Sequence, residues 1–272
     1  MDMISERLVL KAAAERIADL CSSISDGELL TIGSEWTLSE VAAHLVATLR
    51  TFTQAVNGSF VAITPYISNA GNFSERLAAV TAGSLRLVHE RDLCALAVML
   101  KDATHDFLDT TDGLPRDTAI RAPWYGERVS LSLEVTTSLL IVEQLLHGYD
   151  IARTVGQSWA ISQAEAVLSV PVIKAMLPLI VNSESASGET VIYDVRVDGQ
   201  PSFIVQFRNG AAMVRGVDID VVDCLLPLDA VDLMLGVYGR LDFRKSLASG
   251  SVRASGRKPW MGLRFQDFIV SP

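Results

Sequence analysis

The chain has few cysteines, no excess of positive charge and no long apolar run, and each absence closes off a class of protein. Cysteine occurs three times in 272 residues, as Cys21, Cys94 and Cys224. The three are far apart, odd in number and set among apolar neighbours, which suits buried free thiols in a reducing compartment rather than a disulfide framework. Lysine and arginine total 23 against 32 acidic residues, a formal charge of −9. Such a balance argues against nucleic-acid and anionic-membrane partners, which call for a basic surface. The most apolar stretch, Val167 to Val181, is broken by Pro171, Lys174 and Pro178 and is too short to cross a bilayer as a helix. The opening residues, Met1 to Arg7, carry early acids and lead into no secretory signal, so the expected location is the cytoplasm.

What is present is a globular composition, 49% hydrophobic and 20% charged, over a length for which two domains are expected. The first part is patterned with a helical period. Ser5 to Ser22 places Leu8, Ala12, Ile17 and Leu20 near one face. Trp36-Thr37-Leu38-Ser39-Glu40 opens a second helix, Thr37 and Glu40 having the spacing of a capping box, and Asn57-Gly58 closes it. Phe73 to Val88 and His89 to Leu108 continue in helical material. Asp109 to Arg128 is polar and turn-rich, and Leu131 to Thr154 is a long helical pattern stopped by Gly156. After Val181 the period becomes two. Val191, Tyr193, Val195 and Val197 alternate with Ile192, Asp194 and Arg196, followed by turns at Asp198-Gly199 and Asn209-Gly210. A helix is expected around Asp229 to Tyr238, then bends and short strands near Gly239, Gly250 and Gly256, and a final helix from about Pro259. Asn182 to Gly188 reads as a linker or an exposed loop, giving domains 1–182 and 183–272, the first all-α and the second α+β.

Two polar features stand out in the helical part. Glu143 and His147 are four residues apart in an apolar helix and so share a face with Leu139, Leu146 and Asp150. A buried carboxylate needs a partner, because desolvating an unpaired charge costs several kcal/mol. His44 lies on the stripe of Val41, Leu45 and Thr48, where a core residue belongs. Two imidazoles and one carboxylate suit zinc or a similar ion and leave a coordination position open. On spacing alone, the same residues also fit a satisfied core histidine and a solvated ion pair. Asp150 is either an outer partner of a ligand or a surface residue. His89 and His105 sit in charged contexts and are expected on the surface.

Glu35 to Leu45 resembles the W-T-x-x-x-V-x-x-H-L segment of DinB-like metal-binding bundles, and Glu143-Gln144-Leu145-Leu146-His147-Gly148-Tyr149-Asp150-Ile151-Ala152 is similar to the E-x-x-x-H-x-x-D-[IL] segment of the mycothiol-dependent maleylpyruvate isomerase family. Val237 to Arg240, Ala248 to Val252 and Ala254 to Trp260 resemble the closing segments of that family's sterol-carrier-protein-like domain. The resemblance implies a DinB-like four-helix bundle followed by a small sterol-carrier-protein-like α+β domain. It implies a zinc or other divalent ion on His44, Glu143 and His147, with mycothiol as thiol cosubstrate. A thiolate adding to the cis double bond of a maleylpyruvate-like dicarboxylate, and leaving after rotation, gives the trans isomer. Arg240 is the implied catalytic cation for a substrate carboxylate, Arg257 is the reserve binding cation, and a helix-end role for Arg240 is the plain reading. Two further readings stay open: a mycothiol S-transferase that consumes the thiol, and a lipid or apolar-ligand carrier with a non-catalytic metal.

Overall fold

The computed structural model describes residues 3–59, 73–217, 221–250 and 252–272. The chain forms two compact units, Met1–Ile161 and Ser162–Pro272.

The first unit is helical. Its elements are α1 (Met3–Ser22), α2 (Leu38–Val56), α3 (Phe73–Ser84), α4 (Leu93–Thr110), a hairpin of β1 (Ala119–Arg121) and β2 (Ser130–Ser132), and α5 (Leu133–Thr154). Helix α1 buries Leu10, Ala13, Ala14, Ile17, Ala18 and Cys21, the recurrence of a single helical face. That face packs on α4 and α5, while α2 packs on the same two helices. On α4 the inward stripe is Leu93, Leu96, Ala97, Leu100 and Phe107, which leaves Cys94 outward and exposed. The expectation of a third buried thiol fails there; Cys21 and Cys224 are buried. The turn-rich stretch before α5 contains the hairpin, in which Ile120 pairs with Leu131. Leu131 therefore belongs to a strand, and α5 starts behind the N-cap Ser132, whose side chain accepts from the Val135 N–H at 3.2 Å.

The second unit joins helices to a four-stranded sheet. It comprises α6 (Gln163–Ala166), α7 (Val170–Met176), β3 (Thr190–Val197), β4 (Phe203–Arg208), β5 (Ala211–Gly216), β6 (Cys224–Leu228), α8 (Ala230–Val237) and α9 (Phe243–Ser249). The strand order is β5-β4-β3-β6, with β6 parallel to β3 and the other pairs antiparallel. Asn209 and Gly210 both have positive φ, 50° and 81°, as a two-residue hairpin turn requires. The buried face of β3 carries Val191, Tyr193, Val195 and Val197, as the alternation predicts. Asp194 departs from it: the residue is buried, and its carboxylate pairs with Arg196 at 2.8 Å. The Tyr193, Phe207, Phe265 and Phe268 rings meet at centroid distances from 5.0 to 6.2 Å and form the aromatic centre of this core.

The compact units divide earlier than the composition change after Val181. The reason is long-range hydrogen bonding: the Asn182 N–H donates to the Phe268 carbonyl at 2.9 Å and the Val270 N–H to the Ile180 carbonyl at 2.7 Å, while α7 packs on α8. Residues 182–188 are thus held within the second unit rather than joining two others. Near the C-terminus the expected short strands and final helix are replaced, among the described residues, by α9, isolated bridges and 3-10 turns at Pro259–Arg264 and Gln266–Phe268. Among the described residues, no helix is long and apolar enough to cross a membrane.

Candidate metal centre

The first of the polar elements is α2. Its capping box forms as the sequence predicts: Thr37 Oγ1 accepts from the Glu40 N–H at 3.2 Å, and Glu40 Oε2 accepts from the Thr37 N–H at 2.8 Å. Two turns on, His44 is buried at 7% exposure. Helix α5 buries residues on several faces, so Glu143 and His147 emerge from a helix with little freedom to rotate away.

The three side chains converge. His44 Nε2 and His147 Nε2 each lie 3.2 Å from the same oxygen, Glu143 Oε2. The imidazole rings meet edge-on with centroids 5.3 Å apart, and one donor atom from each residue lies within 4.8 Å of the others. Two ligands ~2.1 Å from a zinc ion at the tetrahedral angle stand about 3.4 Å apart. The two nitrogen–oxygen separations are close to such edges, and the three donor atoms lie within 4.8 Å of one another, which makes them a candidate set for a divalent ion. Burial opposes the charge on Glu143, but hydrogen bonds from His147 and His44, and the charge those rings can carry, outweigh it and hold the carboxyl well below the usual carboxylate range.

Several side chains surround these three. Ser84, the last residue of α3, lies 3.1 Å from His44 Nδ1, and Thr48 Oγ1 lies 3.5 Å from Nε2. Trp36, just before α2, has its ring 5.3 Å from that of His44. Tyr125 is buried; desolvation and the charge of Glu143 push its phenol far up, the Trp124 side chain acting the other way, so the hydroxyl stays neutral. Tyr125 stacks on Phe73 at 5.6 Å, and Trp124 meets Phe52 edge-on at 5.1 Å. Asp150 is buried rather than on the surface, whereas His89 and His105 are exposed as expected.

The two arginines lie in the second unit. Arg240 Nη1 donates to the carbonyl of Tyr238, the C-cap of α8, at 2.6 Å, which is the helix-end role. The same residue lines a cleft of about 480 Å3 with Leu241, Asp242, Lys245 and Gln266. Arg257 is exposed.

No family model matches the chain, and no curated protein does. Solved structures do. The mycothiol-dependent maleylpyruvate isomerase superposes with a TM-score of 0.51 at 12% identity, covering 94% of this chain and 93% of that one. A histidine-to-alanine variant of that isomerase gives the same values. An inverting sec-alkylsulfatase from Pseudomonas sp. reaches a TM-score of 0.33 at 13% identity, over 84% of this chain and 32% of that one. The likeness to the isomerase is one of fold: a helical N-terminal part followed by an α+β C-terminal part.

Proposed function

We propose that the chain is a metal-assisted, mycothiol-dependent enzyme that isomerises a maleylpyruvate-like cis-dicarboxylate. The metal is a divalent ion, zinc first, held by His44, Glu143 and His147. The observation that carries this reading is the convergence of two imidazole nitrogens on one ionised carboxylate oxygen. Each of these contacts needs a hydrogen or a metal ion between the nitrogen and the carboxylate oxygen. The fold shared with a mycothiol-dependent maleylpyruvate isomerase supports the choice of chemistry. On this reading the helical unit is a DinB-like four-helix bundle and the second unit a sterol-carrier-protein-like domain.

Three protein ligands leave a position for a thiol sulfur. A divalent ion bound there acts as a Lewis acid that stabilises the thiolate near neutral pH. Glu143 contributes the negative charge of the donor set, and His44 and His147 contribute neutral nitrogens. Trp36 covers one side of His44 and limits how that ring can turn. Addition of the thiolate to one alkene carbon makes the central bond single and moves its π pair onto the conjugated carbonyl as an enolate, the pair that returns when the thiolate leaves. Rotation and expulsion of the same thiolate restore the double bond in the trans geometry. Arg240 is the proposed partner of a substrate carboxylate, with Arg257 in reserve.

The test joins elemental analysis to a thiol-dependence assay. The expected result is about one divalent ion per chain, as a three-ligand mononuclear site implies, with turnover of a cis-unsaturated dicarboxylate and full recovery of mycothiol. His44→Ala is expected to remove the ion while the second unit stays folded. Stoichiometric loss of the thiol would make the chain an S-transferase. A folded protein with no metal and a bound lipid would overturn the reading in favour of a carrier.

A further inference from the structure

The hydrogen-bond chain behind His44 has a direction. Ser84 Oγ lies 2.6 Å from the Thr81 carbonyl oxygen, one turn back on α3, and 3.1 Å from His44 Nδ1. A carbonyl oxygen only accepts, so the serine proton lies on the line to Thr81. The hydroxyl then presents only lone pairs to the imidazole. Nδ1 must carry the hydrogen of that contact, because two facing lone pairs at this distance repel. Ser84 and His44 are both buried, at 5% and 7% exposure, so water is a poor substitute partner there.

We propose that Ser84 is a positioning residue that keeps a proton on His44 Nδ1 and thereby makes Nε2 the ligand atom. An imidazole free in water favours the opposite tautomer, with the proton on Nε2, so the protein has to supply the preference. It does so with a backbone carbonyl at the end of α3, relayed through one hydroxyl to a ligand on α2. Nε2 is also the nitrogen that faces Glu143 Oε2. Such outer partners fix the ring's orientation as well as its tautomer, and their loss typically weakens metal binding by about 10–100-fold. The consequence for affinity rests on the metal reading above; the proton assignment concerns the metal-free protein and stands apart from it.

Long-range nitrogen–proton NMR of the imidazoles in metal-free wild-type protein reads the assignment directly. The expected spectrum has His44 Nδ1 protonated. An unprotonated Nδ1 overturns the proposal with no variant needed. Ser84→Ala is expected to lose this preference and to bind Zn2+ about 10–100-fold more weakly in a chelator competition. Ser84→Cys, which nearly keeps the volume but has a weak acceptor, is expected to follow it and covers the case of an alanine variant that folds poorly. If wild-type protein binds Zn2+ and both variants match it in affinity and nitrogen spectrum, the serine has no such role and the metal reading survives. If wild-type protein binds no Zn2+ but His44 shows the Nδ1 proton, the metal reading falls and the relay stands.

Discussion

Gly148 follows the candidate ligand His147 on α5, and its missing side chain is filled by an indole. A β-carbon at this position meets three ring atoms of Trp159, the nearest at 2.2 Å. Carbon atoms in good contact stand about 3.5–4.0 Å apart, so Gly148→Ala has to push the ring back by more than ~1 Å. The ring has a second neighbour. The Arg16 guanidinium lies 4.2 Å from its centroid, and Arg16 Nη2 donates to the Ala160 carbonyl at 2.7 Å. Overpacking of this kind costs about 1–3 kcal/mol. Alanine in a helix interior is about 1 kcal/mol better than glycine. The balance leaves the variant about 1 kcal/mol less stable, a fall in Tm of about 2–4 °C for a chain of this size. The assay is thermal unfolding followed by circular dichroism on four proteins: wild type, Gly148→Ala, Trp159→Ala and the double variant. With the indole gone, the same glycine replacement should stabilise by about 1 kcal/mol, so the two backgrounds should give opposite signs. An alanine that stabilises the wild-type background to the same extent refutes the seating of Trp159 on α5.

Two other outcomes follow from single contacts. Thr37→Ala removes the hydroxyl of the α2 capping box and is expected to cost about 1 kcal/mol, with faster amide exchange in the first turn of α2 and recovery in Thr37→Ser. Alkylation of the folded protein at mildly alkaline pH is expected to label Cys94 alone in peptide mass spectrometry. Burial pushes the Cys21 thiol up to about 12 and Cys224 up to about 11, the latter against a backbone hydrogen bond from Gly262; labelling of Cys21 before unfolding would contradict its burial.

The elements whose evidence is local were legible in the sequence. The capping box at Thr37 and Glu40, the Asn209-Gly210 turn and the alternation of β3 all depend on neighbours a few residues away, and each forms as its spacing implies. The clustering of Glu143 with His147 was legible for the same reason. The hairpin of β1 and β2 was not, because three-residue strands lying among Gly113, Pro115, Pro123 and Gly126 are too short to show a period. Strand β6 was hidden by Pro227, which lacks the N–H of a ladder residue and is tolerated here on an edge strand. Ser84 gave no signal at all. Ser84 lies inside the stretch read as helical from Phe73 to Val88, where a serine is unremarkable, and only the packing of α3 on α2 turns its oxygen toward His44. Residues 182–188 are polar enough to suggest a linker, yet the hydrogen bonds that fix their position come from the far C-terminus.

The separation of the candidate ligands along the chain bears on how the protein folds. Glu143 and His147 sit on adjacent turns and are brought together as soon as α5 coils. His44 is 99 residues from Glu143, and Ser84 is 40 residues from His44. Contacts of that range wait for loop closure and for α2 to dock. The local pair is therefore an early half-site, and the full triad exists only in the native state. An ion that needs all three donors then discriminates folded from unfolded chain. By linkage it adds RT ln(1 + [L]/Kd) to the unfolding free energy, about 2.7 kcal/mol at a hundredfold excess over Kd. On the metal reading, a chelator in the buffer would lower the unfolding midpoint by removing that increment.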